Sequence, residues 1–225
     1  MLCIPRCLSM QVYCRGCLSM DDVLNGLDSI RWSDLRHAYG TAEDVPMQLR
    51  KMISEDHDER SGALHQLLES VWHQGTIYEA SSYVVPFLVQ LLNSPVTPDR
   101  SIVALLFSAI ADGKSYLEVH APIGSEQEQT WREILVNRGE DFDHQLRLEG
   151  QWVQATRSLM DEHLDLLYDF LDHDEPELRL NVVSALGNYP GHAIRSIERI
   201  KKALDDEPED YIREAMQVSI SRLGG

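Results

Sequence analysis

The chain has 225 residues, 43% hydrophobic and 25% charged, which suits a soluble globular protein with ample core, built as one large domain or a short repeat array. Its net charge of −17 and its few lysines (Lys51, Lys114, Lys201 and Lys202) disfavour nucleic acid as a ligand, because phosphate binding needs clustered cations. No apolar run approaches the ~18 residues a membrane helix needs, so no membrane role is expected.

All four cysteines, Cys3, Cys7, Cys14 and Cys17, fall in the first seventeen residues. Their C-x3-C-x6-C-x2-C spacing could reach a tetrahedral zinc site, but the linker between the pairs is short and no hairpin signal supports it. Residues 1–19 read as a disordered extension, and Met20 stands as an alternative natural start because the polar Asp21-Asp22 follows at once. The cysteine-free body fits a reducing cytoplasm. Residues 20–225 read as one domain.

From Asp21 to Ala38 the apolar spacing predicts helix, through Val23, Leu27 and Ile30 and then Trp32, Leu35 and Ala38. Pro46 opens a helix with Val45, Leu49 and Met52 on one face. Asp56 or Asp58 caps the next, with Ala63, Leu64, Leu67, Leu68 and Val71 as its stripe. His73-Gln74-Gly75 closes it, and residues 76–81 form a linker or short helix. Val84 to Leu92 is apolar nearly all round and should lie buried between layers. Asp99 caps a helix to Ala111. Residues 114–128 read as a loop around Pro122 and Gly124, followed by a short helix at Trp131 and another helical region near Trp152. Leu159–Leu171 reads as one helix. Further helices run to Gly187, over Ala193–Leu204, and from Pro208 to the end. Strand alternation and two-residue hairpin turns are absent, so the fold is expected to be all-α.

Four helices share a spacing. Arg60, Arg100, Arg179 and Arg213 each begin a pattern of apolar or small residues three, six or seven, and ten residues on, with an acid just before. Their separations, 40, 79 and 34 residues, fit a helix-pair solenoid with one degenerate repeat in the middle. The pattern resembles HEAT repeats, best in DEPELRLNVVSALG (Asp174–Gly187) and EDYIREAMQVSISRLG (Glu209–Gly224). Trp32–Leu92 is similar to a bacterial HEAT-repeat family of poorly defined function. The resemblance implies a short right-handed α-solenoid of stacked antiparallel helix pairs acting as a protein-binding scaffold. Some short HEAT-like proteins accompany bacterial toxins as immunity proteins. Other HEAT-like folds are DNA-repair glycosylases or pigment lyases, but this chain lacks the basic groove of the former and a visible nucleophile for the latter.

No catalytic, cofactor or metal residues are assigned. The body has no cysteine, no G-x-S-x-G, no H-E-x-x-H and no Gly-rich phosphate loop. His57, His65 and His73 are each eight residues apart and do not converge on one helix face. The repeat arginines are expected to hold the stack by pairing with acids of adjacent repeats. Asp161, Asp165, Asp169 and Asp172 are expected to form an acidic ridge on one helix, either as a solvated face or to dock a basic protein. Arg195, Arg199 and Lys202 make a basic stripe that should pair with a neighbouring helix. His73, Gln74, Tyr78 and Glu79 form the second candidate binding cluster, or else lock a turn.

Overall fold

The structure, a computed structural model, describes residues 23–225. The cysteine pattern, the extension and the alternative start at Met20 lie outside the described residues. The helices are α1 (Val45–Lys51), α2 (His57–Ser70), α3 (Glu79–Asn93), α4 (Arg100–Ala111), α5 (Tyr116–His120) and α6 (Glu126–Asn137). They continue with α7 (Phe142–Asp161), α8 (Leu164–Leu167), α9 (Pro176–Leu186), α10 (Ala193–Asp206) and α11 (Asp210–Arg222).

Two layers stack into an α-solenoid. Helices α2, α4, α9 and α11 pack side by side in that order, each beginning with one of the repeat arginines or carrying it in its first turns. The second layer is α3, α7, the short 164–170 segment and α10. One apolar core runs between the layers from Val23 to Leu223. Helix α4 sits at its centre: RSIVALLFSAIA has no charge after Arg100, and Val103, Leu106, Phe107 and Ile110 are all buried. Helix α3 is similar, with Val84, Val85, Leu88, Leu91 and Leu92 fully buried as their all-round apolar pattern requires. Helices α9 and α11 approach closely at Gly187, where an added Cβ would come within 2.8 Å of Ser219 Oγ. Ser219 Oγ in turn donates to the Val183 carbonyl across the contact.

Four local expectations are corrected. The apolar residues Leu27, Trp32 and Leu35 are buried, but through two short 3-10 turns, Leu27–Ser29 and Trp32–Asp34, with Trp32 Nε1 donating to the Leu27 carbonyl. Two antiparallel hairpins are present: β1 (Arg36–His37) with β2 (Gly40–Thr41), and β3 (Trp72–His73) with β4 (Thr76–Ile77). The second turns through Gln74 and Gly75 at φ 50° and 91°, the left-handed pair that a tight hairpin demands. Residues 114–128 contain α5 and the start of α6, because Ser115 and Ser125 accept the amides of Glu118 and Glu128 as N-caps. The 159–171 region is not one helix: α7 stops at Asp161, and the chain turns at Glu162-His163 before α8.

Helices α5 and α6 form an insertion with its own small core of Leu117, Ala121, Leu135 and Phe142. Glu149 of α7 ties it to the stack. This carboxylate is 5% exposed and accepts the Leu117 amide at 2.8 Å and Gln145 Nε2 at 3.1 Å. Burial pushes its carboxyl above the usual range, and these hydrogen bonds only partly oppose that. A raised folded value means the stability it lends is complete below the ordinary carboxyl range and falls as pH rises through the raised value. Glu149→Gln keeps an acceptor for Leu117 without the charge. Urea denaturation should find it at least as stable as the parent at neutral pH, with that advantage vanishing in acid.

Gly62 and Gly150 lie inside α2 and α7 with open space where a Cβ would sit. Each glycine leaves the unfolded chain more freedom to lose. Gly62→Ala and Gly150→Ala should each raise stability by roughly 0.5–1 kcal/mol, read as a higher urea midpoint at unchanged slope.

Candidate protein-binding surface

Each repeat arginine reaches back to the loop that leads into its helix. Arg60 Nη1 donates to the Ser54 carbonyl at 2.8 Å, and Arg100 Nη2 to the Ser94 carbonyl at 2.7 Å. Arg179 Nη1 donates to the His173 carbonyl at 2.7 Å, and Arg213 Nη1 to the Glu207 carbonyl at 3.0 Å. In all four the acceptor lies six residues before the arginine. The side chain of that same residue closes the loop by accepting the amide two residues on. Ser54 Oγ takes Asp56 N at 3.1 Å, Ser94 Oγ takes Val96 N at 3.3 Å, His173 Nδ1 takes Glu175 N at 3.2 Å, and Glu207 Oε1 takes Glu209 N at 3.1 Å. The paired contacts form a clasp on each loop: backbone groups that no helix or strand satisfies are satisfied by side chains.

One clasp also joins neighbouring pairs. Arg179 Nε and Nη2 donate to the two Glu207 oxygens at 2.7 Å each, with the side chains 8% and 1% exposed. This fork holds the Glu207 carboxyl below the usual range. Among the described residues Arg60, Arg100 and Arg213 make no such pair with an acid; their partners are carbonyls of the preceding loop or, for Arg213, also of Leu204. Removing Arg179 would leave a buried carboxylate alone. Arg179→Met should cost about 3–5 kcal/mol in chemical denaturation. Arg213→Met loses only hydrogen bonds to carbonyls and should cost about 1–3 kcal/mol.

Because the arginine-bearing helices lie side by side in one direction, their leading loops share one edge of the solenoid. Glu55 lies against residues 95–98 of the next loop. The third and fourth loops enclose a cleft of about 410 Å³, in which Asp172, Asp174, Asp206 and Glu209 surround the apolar Leu171 and Pro176. Asp174 and Glu209 precede the N-termini of α9 and α11, which favour negative charge, whereas Asp206 ends α10. Asp56 and Asp99 are used as caps, on Asp58 N at 2.8 Å and Ile102 N at 3.3 Å. Glu55, Asp172, Asp174, Asp205, Asp206 and Asp210 are exposed and pair with no Lys, Arg or His among the described residues.

The four aspartates expected on one ridge are dispersed. Asp161 ends α7 and lies 3.0 Å from His192 Nε2. Asp165, on α8, pairs with Arg195. Arg199 donates to the Tyr168 carbonyl at 3.2 Å, and both arginines flank the Tyr168 ring at 4.9 and 5.7 Å. These contacts seat α10 against the 164–170 segment. Asp169 stands on a 3-10 turn, and Asp172 joins the acidic edge.

His73, Gln74, Tyr78 and Glu79 surround the second hairpin. His73 Nδ1 lies 3.5 Å from Glu69 Oε2 and 3.4 Å from the Tyr39 hydroxyl, which itself donates to Glu69 at 3.2 Å. Tyr78 OH meets Thr76 Oγ1 at 2.8 Å, and burial pushes its phenol upward. Glu79 Oε2 accepts the Arg36 amide at 3.2 Å, joining the first hairpin to α3. Gln74 is exposed at the turn. Sequence reasoning missed Tyr39, which is 67% exposed and stacks edge-on with His73 at 5.5 Å. It also missed His37, whose Nδ1 accepts Tyr39 N while Nε2 lies 3.0 Å from Asp44. The signal was present as Tyr39-Gly40-Thr41, which echoes Gln74-Gly75-Thr76.

Among the described residues no group of three or more His, Cys, Asp or Glu could hold a metal ion, and no helix is long and apolar enough to cross a membrane. No family model matches the chain, and no curated protein matches it. Among solved structures it is similar to a designed armadillo repeat protein, YIII(Dq)4CqI, at 16% identity over 80% of this chain and 99% of that one, with a TM-score of 0.23.

Proposed function

We propose that this chain is a non-enzymatic protein-binding scaffold whose acidic edge docks a basic protein. The observation that carries this reading is the set of exposed, unpaired carboxylates where the leading loops meet. Within the stack, acids are consumed by structure, Asp161 by His192, Asp165 by Arg195 and Glu207 by Arg179. At the edge they are not, so their field reaches outward and speeds encounter with a cationic surface. The helix caps explain some acids there, but Asp172, Asp174, Asp205 and Asp206 accept no capping hydrogen bond. The hairpin cluster of His73, Gln74, Tyr78 and Glu79 is largely satisfied by its own loops and supports a binding role less strongly.

An oligolysine peptide is a suitable probe. Neutralising Asp172, Asp174, Asp205 and Asp206 to Asn should weaken its binding roughly five- to tenfold at low salt and flatten the salt dependence. Neutralising Glu118, Glu126, Glu133 and Glu140 to Gln removes the same formal charge from the insertion and should change binding much less. Equal losses from both sets, measured by calorimetry, would show that only net charge matters and would sink the edge as a site.

A further inference from the structure

We propose that His173 makes the third clasp proton-sensitive, so that acidification opens the loop leading into α9. At the equivalent positions of the other loops the acceptor is a hydroxyl (Ser54, Ser94) or a carboxylate (Glu207), and these accept throughout the near-neutral range. Glu207 does so with a margin, because Arg179 holds its carboxyl low. An imidazole nitrogen accepts only when it carries no proton. His173 Nδ1 accepts the Glu175 amide at 3.2 Å, so the ring must be neutral, with its proton on Nε2. A second proton would turn Nδ1 into a donor and set two N–H groups against each other. Of the four clasps this one alone uses a group that ordinarily titrates near neutrality.

The surroundings set the opposite demand. Asp172, Asp174 and Glu175 stand on the same loop, and Asp206, Glu207 and Glu209 face the ring's cleft from the next. Arg179 is the nearby cation, and its charge is answered by the Glu207 fork. The Phe170 ring lies 6.2 Å away, edge to face. A protonated ring would stand beside unpaired carboxylates, whereas the clasp holds only the neutral ring. The two states of one ring therefore correspond to two states of the loop. In the closed state, neutral His173 accepts Glu175 N. In the open state, charged His173 turns to its carboxylates and the amide is released to water. The open state also adds a positive charge to the cleft. Its consequence for docking, a weaker hold on a basic partner in acid, rests on the proposed reading of the edge.

Amide exchange in the full chain tests the clasp with no partner present, so its failure is distinct from a failure of docking. Protection of the Glu175 amide should fall roughly three- to tenfold as the pH is lowered from about 8 to about 5.5, the worth of one hydrogen bond. Protection of Asp56, Val96 and Glu209 should hold. His173→Ser supplies the hydroxyl that the first two loops use, and His173→Asn supplies an amide oxygen that accepts at every pH. Both should keep Glu175 protected across the range. Constant Glu175 protection in the parent while the ring's NMR signals show it gaining a proton, or the same loss in both variants, would overturn the proposal.

Discussion

A guanidinium donating to a carbonyl six residues behind it shapes the loop that leads into each of the four arginine-bearing helices. The loop between pairs must turn sharply and then present helix amides in the right direction. That leaves backbone carbonyls with no regular partner, and burying them unpaired would cost about 1–3 kcal/mol each. Arginine suits the task because its planar donors span a turn while its stem packs under the helix start. Arg60 and Arg179 are correspondingly buried, which is uncommon for arginine without full pairing. The second half of the clasp, the side chain that accepts an amide two residues on, fixes the loop from inside. Together they let the stack continue through loops that differ in sequence.

The same device leaves one position chemically free. The acceptor need only offer a lone pair, and Ser54, Ser94, His173 and Glu207 all do. Glutamate adds a second function: it reaches the arginine of the preceding pair and bolts α9 to the loop before α11. Histidine adds a different one, sensitivity to protons. The repeat frame is thus constant in its arginine and variable in its amide acceptor. Charge follows the same division. Carboxylates facing α10 are met by His192 and Arg195, whereas Asp172, Asp174, Asp205 and Asp206 at the leading loops stay open to solvent.

How much of this the sequence disclosed depends on what kind of atom does the binding. The period of Arg60, Arg100, Arg179 and Arg213 was legible, as were the apolar stripes that became one core, because both rest on side-chain identity at fixed spacing. The partners of those arginines were not legible as acids, since all four bind carbonyls, which every residue has, and only Arg179 adds an acid. The amide-accepting position was invisible for a related reason: hydroxyl, imidazole and carboxylate do the same job there, so no shared letter marks it. The acidic ridge failed through the chain's path. Spacings of four, four and three are helical on paper, but the turn at Glu162-His163 sends Asp161 and Asp165 toward α10 and Asp172 to the edge. The hairpins were missed because two-residue strands are too short to show alternation, and their trace in the sequence is the echo of Tyr39-Gly40-Thr41 in Gln74-Gly75-Thr76.

The insertion shows why a solenoid of this kind tolerates departures from its period. Residues 114–141 interrupt the chain between α4 and α7, where a regular repeat would pass directly from one layer to the other. The interruption does not disturb the stack because it packs its own apolar residues and meets the rest mainly at α7. Its attachment is polar: a buried carboxylate on α7 receives an amide at the start of α5, and the N-terminus of that helix offsets part of the cost of burying the charge. The central contact between α4 and α9 is consequently preserved across 79 residues of intervening separation, with Asn181 Nδ2 donating to the Ser101 carbonyl at 3.1 Å. Packing between arginine-bearing helices, not continuity of the repeat in sequence, is what keeps the leading loops on one edge.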